Sequence, residues 1–348
     1  MPRTGLVYHT DYLKHDPGEH PEVRERLGAI LDSLEKFGLL AELEHLTPRR
    51  ATEEEVALVH DPAYIEKISR MAVSGGGMLD EDTVVSPATY EVAMLAVGGV
   101  LTAVEKVMTG EVDNAFALVR PPGHHAARGR GMGFCIFNNI AVGASFLLQR
   151  YGLERILIVD WDAHHGDGLQ SIFYEEPRVL YFSVHQEGIF PYKGWINEIG
   201  TGPGEGYNIN VPVPKGTSDA GMYYIFTQLL EPVVERYKPQ FIFIACGTDA
   251  HFYDYLSNLE ITAAGFGRMT RHVMDMARTF CQGRVVAALE GGYNLESLGT
   301  SVAAVINEMG SFGRDIQDSI LPPPNIMRPQ VRLRIDDAIQ FQRRIWKF

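Results

Sequence analysis

Five apolar runs rich in β-branched and aromatic residues recur along the chain, and ionisable residues or glycines gather at their ends. They occupy residues 115–119, 155–160, 179–184, 241–246 and 284–290. Their near-continuous apolarity predicts parallel strands buried on both faces. Helix-like stretches alternate with them at 87–108, 138–151, 220–237, 262–281 and 295–309. This alternation predicts an α/β fold, one domain with a mostly parallel central sheet flanked by helices. Two further helices are expected near 21–37 and 53–60, the second opened by a Thr52/Glu55 capping box.

Composition narrows the class. Apolar residues make up 45% of the 348 and charged residues 22%, ordinary globular usage. No uncharged apolar run approaches the roughly 18 residues of a membrane span, so no membrane association is expected. The opening MPRTGLVYHT lacks the apolar core of a secretory signal. Cys135, Cys246 and Cys281 are sparse and odd in number, so a disulfide scaffold is not expected and a reducing cytoplasm is. Lysine and arginine total 31 against 44 acids, a net charge of −13. That surplus repels nucleic acid and suits a cationic small molecule or a lysine-bearing peptide. The plain alternative is a soluble acidic protein with no such meaning. An LPPP segment at 321–324 marks a break, and from Arg314 onward seven basic residues face four acidic ones. Residues 1–313 are therefore expected to form the body and 314–348 a tail. The tail's Ile335, Ile339, Ile345 and Trp346 would pack on the body or on a partner subunit, which leaves a homo-oligomer open.

The chemistry gathers where strands should end, the place where open α/β sheets build their sites. Segment 156–168, ILIVDWDAHHGDG, closes on Asp160, Asp162, His164, His165 and Asp167. Extended backbone would put Asp160, Asp162 and His164 on one side. Ionisable groups at a buried strand end need a partner, and Asp with His suits a divalent metal. In RPPGHHAARGRGMGFCIFNN, residues 120–139, the turn through Pro121, Pro122 and Gly123 presents His124 and His125 side by side. Asp160 and Asp167 are the carboxylates left to pair with them, fixing a tautomer and raising basicity. Asp249 follows another buried run and is the natural third metal ligand. Tyr293, after Gly291 and Gly292, could donate its hydroxyl to an oxyanion. Taken alone, that motif is weak and an ordinary tyrosine is its default reading.

RPPGHHA, GFCIFNN, VDWDAHHGDG, Ser183-Val184-His185, the glycine-rich stretch at 202–212 and EGGYN occur in that order, with His20-Pro21-Glu22 and Arg26 ahead of them. With these motifs the chain resembles the zinc-dependent histone deacetylase superfamily, including bacterial deacetylase-like amidohydrolases and acetylpolyamine amidohydrolases, over about residues 5–309. The resemblance implies a single arginase–deacetylase-like α/β domain. It implies removal of an acetyl or similar acyl group from an amine, such as acetyl-lysine or an acetylpolyamine, by metal-activated water. It implies Zn²⁺ on Asp162, His164 and Asp249, the same set read from the strand ends. His125 would be general base and acid, and His124 its electrostatic partner. Asp160 would back His124, Asp167 would back His125, and Tyr293 would polarise the carbonyl. Gly133 and Phe134 match one wall of the acyl-lysine channel and Phe190 the other. Ser86 matches a position that holds the substrate amide. K⁺ beside the zinc is implied at Asp160, Asp162, His164, Ser183 and Val184, with a more distant K⁺ near Phe173, Val179 and Tyr207.

The chain also departs from that pattern. Relatives commonly read Ser-Ala-Gly-Phe-Asp-Ala and then Asp-Pro-Leu. Here Ala245-Cys246-Gly247-Thr248-Asp249-Ala250 and Asp254-Tyr255-Leu256 stand instead. Asp249 is kept, so Thr248 and Tyr255 bear on substrate choice and not on metal binding. A binuclear manganese ureohydrolase of the arginase type would need further aspartates where this chain has Gly166 and His251. A non-catalytic binding protein for acylated lysine or polyamine would be expected to lack part of the set, and nothing is missing. A nucleotide site is not expected, because Gly-x-Gly-x-Gly at 202–206 precedes a strand-like run and not a helix.

Overall fold

Eight parallel strands make one sheet in the order β2-β1-β5-β10-β9-β6-β7-β8. The structure is a computed structural model that describes all 348 residues. The strands are β1 (Thr4–Val7), β2 (Glu44–Leu46), β5 (Asn114–Ala117), β6 (Ile156–Asp160), β7 (Val179–Gln186), β8 (Asn208–Val213), β9 (Phe241–Cys246) and β10 (Val285–Leu289). Every pairing is parallel. A small antiparallel hairpin, β3 (Gly77–Met78) with β4 (Val84–Val85), stands apart. Residues in β5, β6, β7, β9 and β10 are all buried, as strands covered by helices on both faces must be.

The helices are α1 (Glu25–Lys36), α2 (Glu53–Val56), α3 (Pro62–Val73), α4 (Thr89–Met108), α5 (Asn139–Arg150), α6 (Asp167–Phe173), α7 (Asp219–Ile225), α8 (Glu231–Tyr237), α9 (Ala263–Phe280), α10 (Leu295–Gly310) and α11 (Pro329–Trp346). Capping chemistry sets several of their starts. Thr52 and Glu55 make the expected reciprocal box. The side chains of Asn138, Thr262 and Asn294 each accept an N–H in the first turn of α5, α9 and α10.

Some expectations are revised. The helix expected at 53–60 stops at Val56 and gives way to a turn through His60; Asp61, ahead of Pro62, is extended, and α3 begins at that proline. The helix expected at 21–37 starts only at Glu25, because the segment before it turns to bury Glu22. The stretch 220–237 is helical but widens to a π-turn over Phe226–Leu230, just before Pro232, which has no N–H to give. Strands β1 and β2 and helices α3 and α6 were not anticipated. β1 and β2 have only 4 and 3 residues, too short for periodicity to register.

Tail helix α11 lies against β8 and α7. It buries Val331, Ile335, Ala338 and Ile339. Trp346 Nε1 donates to Gly206 O at 3.2 Å, with its ring beside Tyr207 and Tyr237.

The register positions the site. One row runs Ala115, Val286, Phe243, Ile158, Tyr181 across five neighbouring strands. Parallel strands in step end together, so the segments leaving β5, β10, β9, β6 and β7 emerge along one edge.

Candidate active site

The loop after β5 carries the histidine pair, and buried charges hold it. Arg120 is fully buried and grips Glu22 through Nε and Nη2 at 2.6 and 2.8 Å. Glu290, at the end of β10, accepts the N–H groups of Gly123 and His124 at 2.7 and 3.0 Å. The two imidazoles then lie 4.0 Å apart, ring centre to ring centre. His124 Nδ1 is 3.2 Å from Asp160 Oδ2, and Tyr181 donates its hydroxyl to the same oxygen at 2.9 Å. His125 Nδ1 is 3.1 Å from Asp167 Oδ1.

The two rings differ electrostatically. Burial pushes both down. For His124 the carboxylates of Asp162 and Asp160 outweigh burial and hold it well above the usual imidazole value. For His125 the neighbouring His124 adds to burial, and it falls to about 4. Asp167 is held down to about 2: burial opposes ionisation, but the hydrogen bond with His125 and the Lys193 ammonium prevail.

Beside the pair sit Asp162, His164 and Asp249, with ligand atoms all within 4.8 Å of one another. His164 Nδ1 is 2.8 Å from Asp249 Oδ2 and 3.3 Å from Asp162 Oδ1. Backbone N–H groups aim the remaining oxygens: Gly291 N donates to Asp162 Oδ2 and Ala163 N to Asp249 Oδ1, each at 2.8 Å. Gly291 must be glycine, since a Cβ there would stand 2.5 Å from both carboxylates. Burial and the Asp162 charge push Asp249 up to about 7. Two buried carboxylates and an imidazole crowded like this fit a divalent cation, whose charge removes that cost. His124, Cys135 and Glu290 form a second close buried group, but burial pushes the Cys135 thiol well up and its Sγ faces Gly133 O.

Tyr293 is positioned by its backbone. Its N–H donates to Asp254 Oδ2 at 2.6 Å, and the guanidinium of Arg26 stands 5.1 Å from its ring. Arg26 itself donates to the carbonyls of Gly292 and Glu290. The Tyr293 hydroxyl makes no hydrogen bond within the protein, and burial pushes its pKa well up, so it stays a donor. Phe134 stands edge-on 5.6 Å from Tyr293, and Phe190 edge-on 5.0 Å from His125. Phe134 adopts φ 69°, a costly left-handed backbone for an aromatic residue, pinned where its N–H donates to Thr83 Oγ1. Gly133 precedes it, packed over His125 and Phe190.

Not every expected residue joins this cluster. The Ser86 hydroxyl lies 2.9 Å from Thr89 Oγ1 and accepts from Asp16 N, with no hydrogen bond to the site. Asp160 faces His124, while Asp162 and His164 face Asp249; β6 ends at Asp160, so the extended alternation expected to put Asp160, Asp162 and His164 on one side does not continue past it. Ser183 lies 2.8 Å from His185 Nδ1, and Val184 is buried behind it. Phe173, Val179 and Tyr207 sit farther along, at the end of α6, the start of β7 and just before β8.

Sequence reasoning missed four contributors: Tyr181, Glu290, the carboxylate of Asp254, and Lys193. Tyr181 and Glu290 did lie in expected strands, but nothing local showed what they would meet.

Comparison with known proteins gives the chain its relatives. A family model described as "Histone deacetylase domain" matches residues 20–309. A "Probable deacetylase" of Archaeoglobus fulgidus is 44% identical over 340 residues, covering 97% of this chain and 93% of that protein. A "Histone deacetylase-like amidohydrolase" of Pseudomonas aeruginosa is 38% identical over 319 residues, 91% of this chain and 83% of that one. The human "Polyamine deacetylase HDAC10" is 38% identical over 324 residues, 88% of this chain but 48% of that protein. A crystal structure of the HDA15 HD domain superposes with a TM-score of 0.91 at 33% identity, covering 99% of this chain and 96% of that one. Since the matching model spans every strand-end segment that builds the site, and the archaeal relative matches nearly end to end, this chain belongs to the histone deacetylase family.

Proposed function

We propose that the protein is a zinc-dependent amidohydrolase that removes acetyl or a similar short acyl group from a primary amine. The observation that carries this reading is the meeting of three things at one sheet edge. They are a buried Asp162–His164–Asp249 group, two imidazoles each backed by a carboxylate, and an unbonded Tyr293 hydroxyl. A divalent ion held by the three ligands supplies Lewis acidity and makes water more acidic.

The chain's own groups supply the rest. His125 is neutral at pH 7 by virtue of its low pKa. With Nδ1–H directed at Asp167, its Nε2 is left free to take a proton from attacking water and return it to the departing amine. His124, with Nδ1 3.2 Å from Asp160 Oδ2, can hold a positive charge there and steady negative charge in the transition state. Tyr293 donates to the carbonyl oxygen as it gains charge. Phe134 and Phe190 frame a slot suited to a linear alkyl amine, and exposed Tyr255 stands on the loop next to Asp254. Acetyl-lysine in a peptide and an acetylpolyamine both fit that description. K⁺ at the carbonyls and side chains around Asp160, Asp162, His164, Ser183 and Val184 is part of this proposal. So is a reducing compartment, which suits three unpaired buried cysteines.

A binuclear ureohydrolase is disfavoured. At its second-metal positions, Gly166 has no ligand and His251 is taken by Asp318 at 2.8 Å.

Chelation followed by dialysis should abolish hydrolysis, and one equivalent of Zn²⁺ per chain should restore it. Acetyl-lysine peptide, acetylputrescine and acetylspermidine compared on the loaded enzyme should reveal the preferred amine. No hydrolysis of any of the three by the zinc-loaded protein would end this reading, and a requirement for two metals would revive the ureohydrolase.

A further inference from the structure

Asp167 raises a question of chemistry that the His125 pair does not answer. Its carboxylate is 5% exposed, and only one of its oxygens, Oδ1, faces His125. The other, Oδ2, has a single protein partner: the ammonium of Lys193, at 3.2 Å. Lys193 makes no other ion pair, and its side chain is 51% exposed at the surface.

The reach of Lys193 is built into the loop that follows β7. Its neighbour Gly194 is clamped on both sides: its N–H donates to Glu198 Oε2 at 3.2 Å, and its carbonyl lies 3.0 Å from His185 Nε2. Gln170 of α6 ties Glu198 to the body at 2.6 Å. Gly194 has φ 83°, and a Cβ there would stand 2.5 Å from His185 Nε2, so the backbone passes as close to the body as it can. The same loop carries Phe190 over His125. One rigid segment thus delivers both a channel wall and a cation to the far side of the Asp167–His125 pair.

We propose that Lys193 is a positioning residue: by holding Asp167 Oδ2 it keeps Oδ1 on His125 Nδ1 and so keeps the imidazole in its working orientation. This rests on the proposed hydrolytic reading, in which His125 moves the proton. A buried carboxylate with one oxygen unpaired loses a charge-assisted hydrogen bond. It is then free to rotate or to draw in water, and the imidazole it orients loosens with it. Lys193 acts through Asp167, so its loss should lower turnover and leave substrate binding alone.

The test compares Lys193→Met and Lys193→Arg in the zinc-loaded enzyme. Lys193→Met should lower kcat about fivefold, less than the 10–100-fold typical of removing an orienting carboxylate itself, with KM unchanged. Lys193→Arg should restore kcat to within about twofold, because a guanidinium offers the same charge and donors. In the Asp167→Asn background, Lys193→Met should cost nothing further. The imidazole Nδ1–H proton resonance of His125, assigned by its loss in His125→Ala, should shift or broaden in Lys193→Met and return in Lys193→Arg. That signal is read without substrate. A wild-type enzyme that hydrolyses no amide therefore overturns the functional reading, while the resonance still tests the contact. An unmoved resonance with wild-type kcat in Lys193→Met overturns the proposal. So does a raised KM that arginine does not rescue, which would make Lys193 a mouth-packing residue.

Discussion

Tyr293 and His125 illustrate how identical burial serves opposite ends. Burial raises the phenol, which stays a donor, and lowers the imidazole, which stays an acceptor. Tyr293→Phe removes one oxyanion donor and should reduce kcat roughly a hundredfold or more with little change in KM; steady-state kinetics on the zinc-loaded enzyme checks this, and wild-type turnover would remove Tyr293 from the mechanism. At this scale much of the site was legible. Asp160, Asp162, His164, Asp249, His124 and His125 each stand at or just beyond the end of an apolar run, where an ionisable group is conspicuous. Lys193 and Asp254 were not legible. Each lies in a loop, where charged residues are ordinary, and each has meaning only through one oxygen or one N–H that folding brings near. Ser86, a position singled out by resemblance, has its hydroxyl against Thr89 at the start of α4, where it accepts from Asp16 N.

Between elements, the buried group Glu22–Arg26–Arg120 is a charged tie. Glu22 precedes α1, Arg26 lies within it, and Arg120 follows β5, so one carboxylate joins the N-terminal helix to the catalytic edge. Burial would push Glu22 up, but Arg120 and Arg26 hold it below the usual carboxylate range. Glu22→Ala leaves two guanidinium groups buried without their partner and should destabilise the fold by about 3–5 kcal/mol in urea unfolding. Glu91→Ala, which breaks an exposed pair with Arg50, should change stability by no more than about 1 kcal/mol. Equal losses would contradict the assignment. The central strands were readable because they are long apolar runs. β1 and β2 were not, since 4 and 3 residues pair only because a finished sheet offers them an edge.

Over the whole molecule, buried histidines set the response to acid. His15, His60 and His185 are each pushed down to about 4, first by burial. Unfolded, each would bind a proton near the ordinary imidazole value of 6.5. Between those values the unfolded chain holds more protons than the native one, so stability falls as pH drops. The loss per histidine is up to about 3 kcal/mol by pH 4. His125 and His165 are lowered in the same way. His124 and His164, held above the usual value, are protonated in both states below about pH 6.5 and do not oppose the fall, whereas Asp249 and Glu290, pushed up to about 7, offset part of it. The Tm of chelator-treated protein should therefore fall steadily from pH 6.5 to 4.5; a flat Tm would show that these rings are not buried neutral in solution. The net charge of −13 comes mostly from outside the site, whose four aspartates, Asp160, Asp162, Asp167 and Asp249, are a small part of the 44 acids.

The sequence by itself determined the kind of fold and the chemistry available to it. Apolar runs too continuous for one-sided strands had to be covered on both faces, and ionisable groups at their ends had to find partners. Tertiary structure decided who those partners are. Asp160 ends β6 and Asp162 lies two residues beyond it, yet one backs His124 and the other faces His164 and Asp249. Lys193 and Asp167 are 26 residues apart and meet over one oxygen. A strand's period is local and can be read along the chain. The separation between two side chains on different elements is set by sheet register and loop packing, and it exists only once the chain has folded.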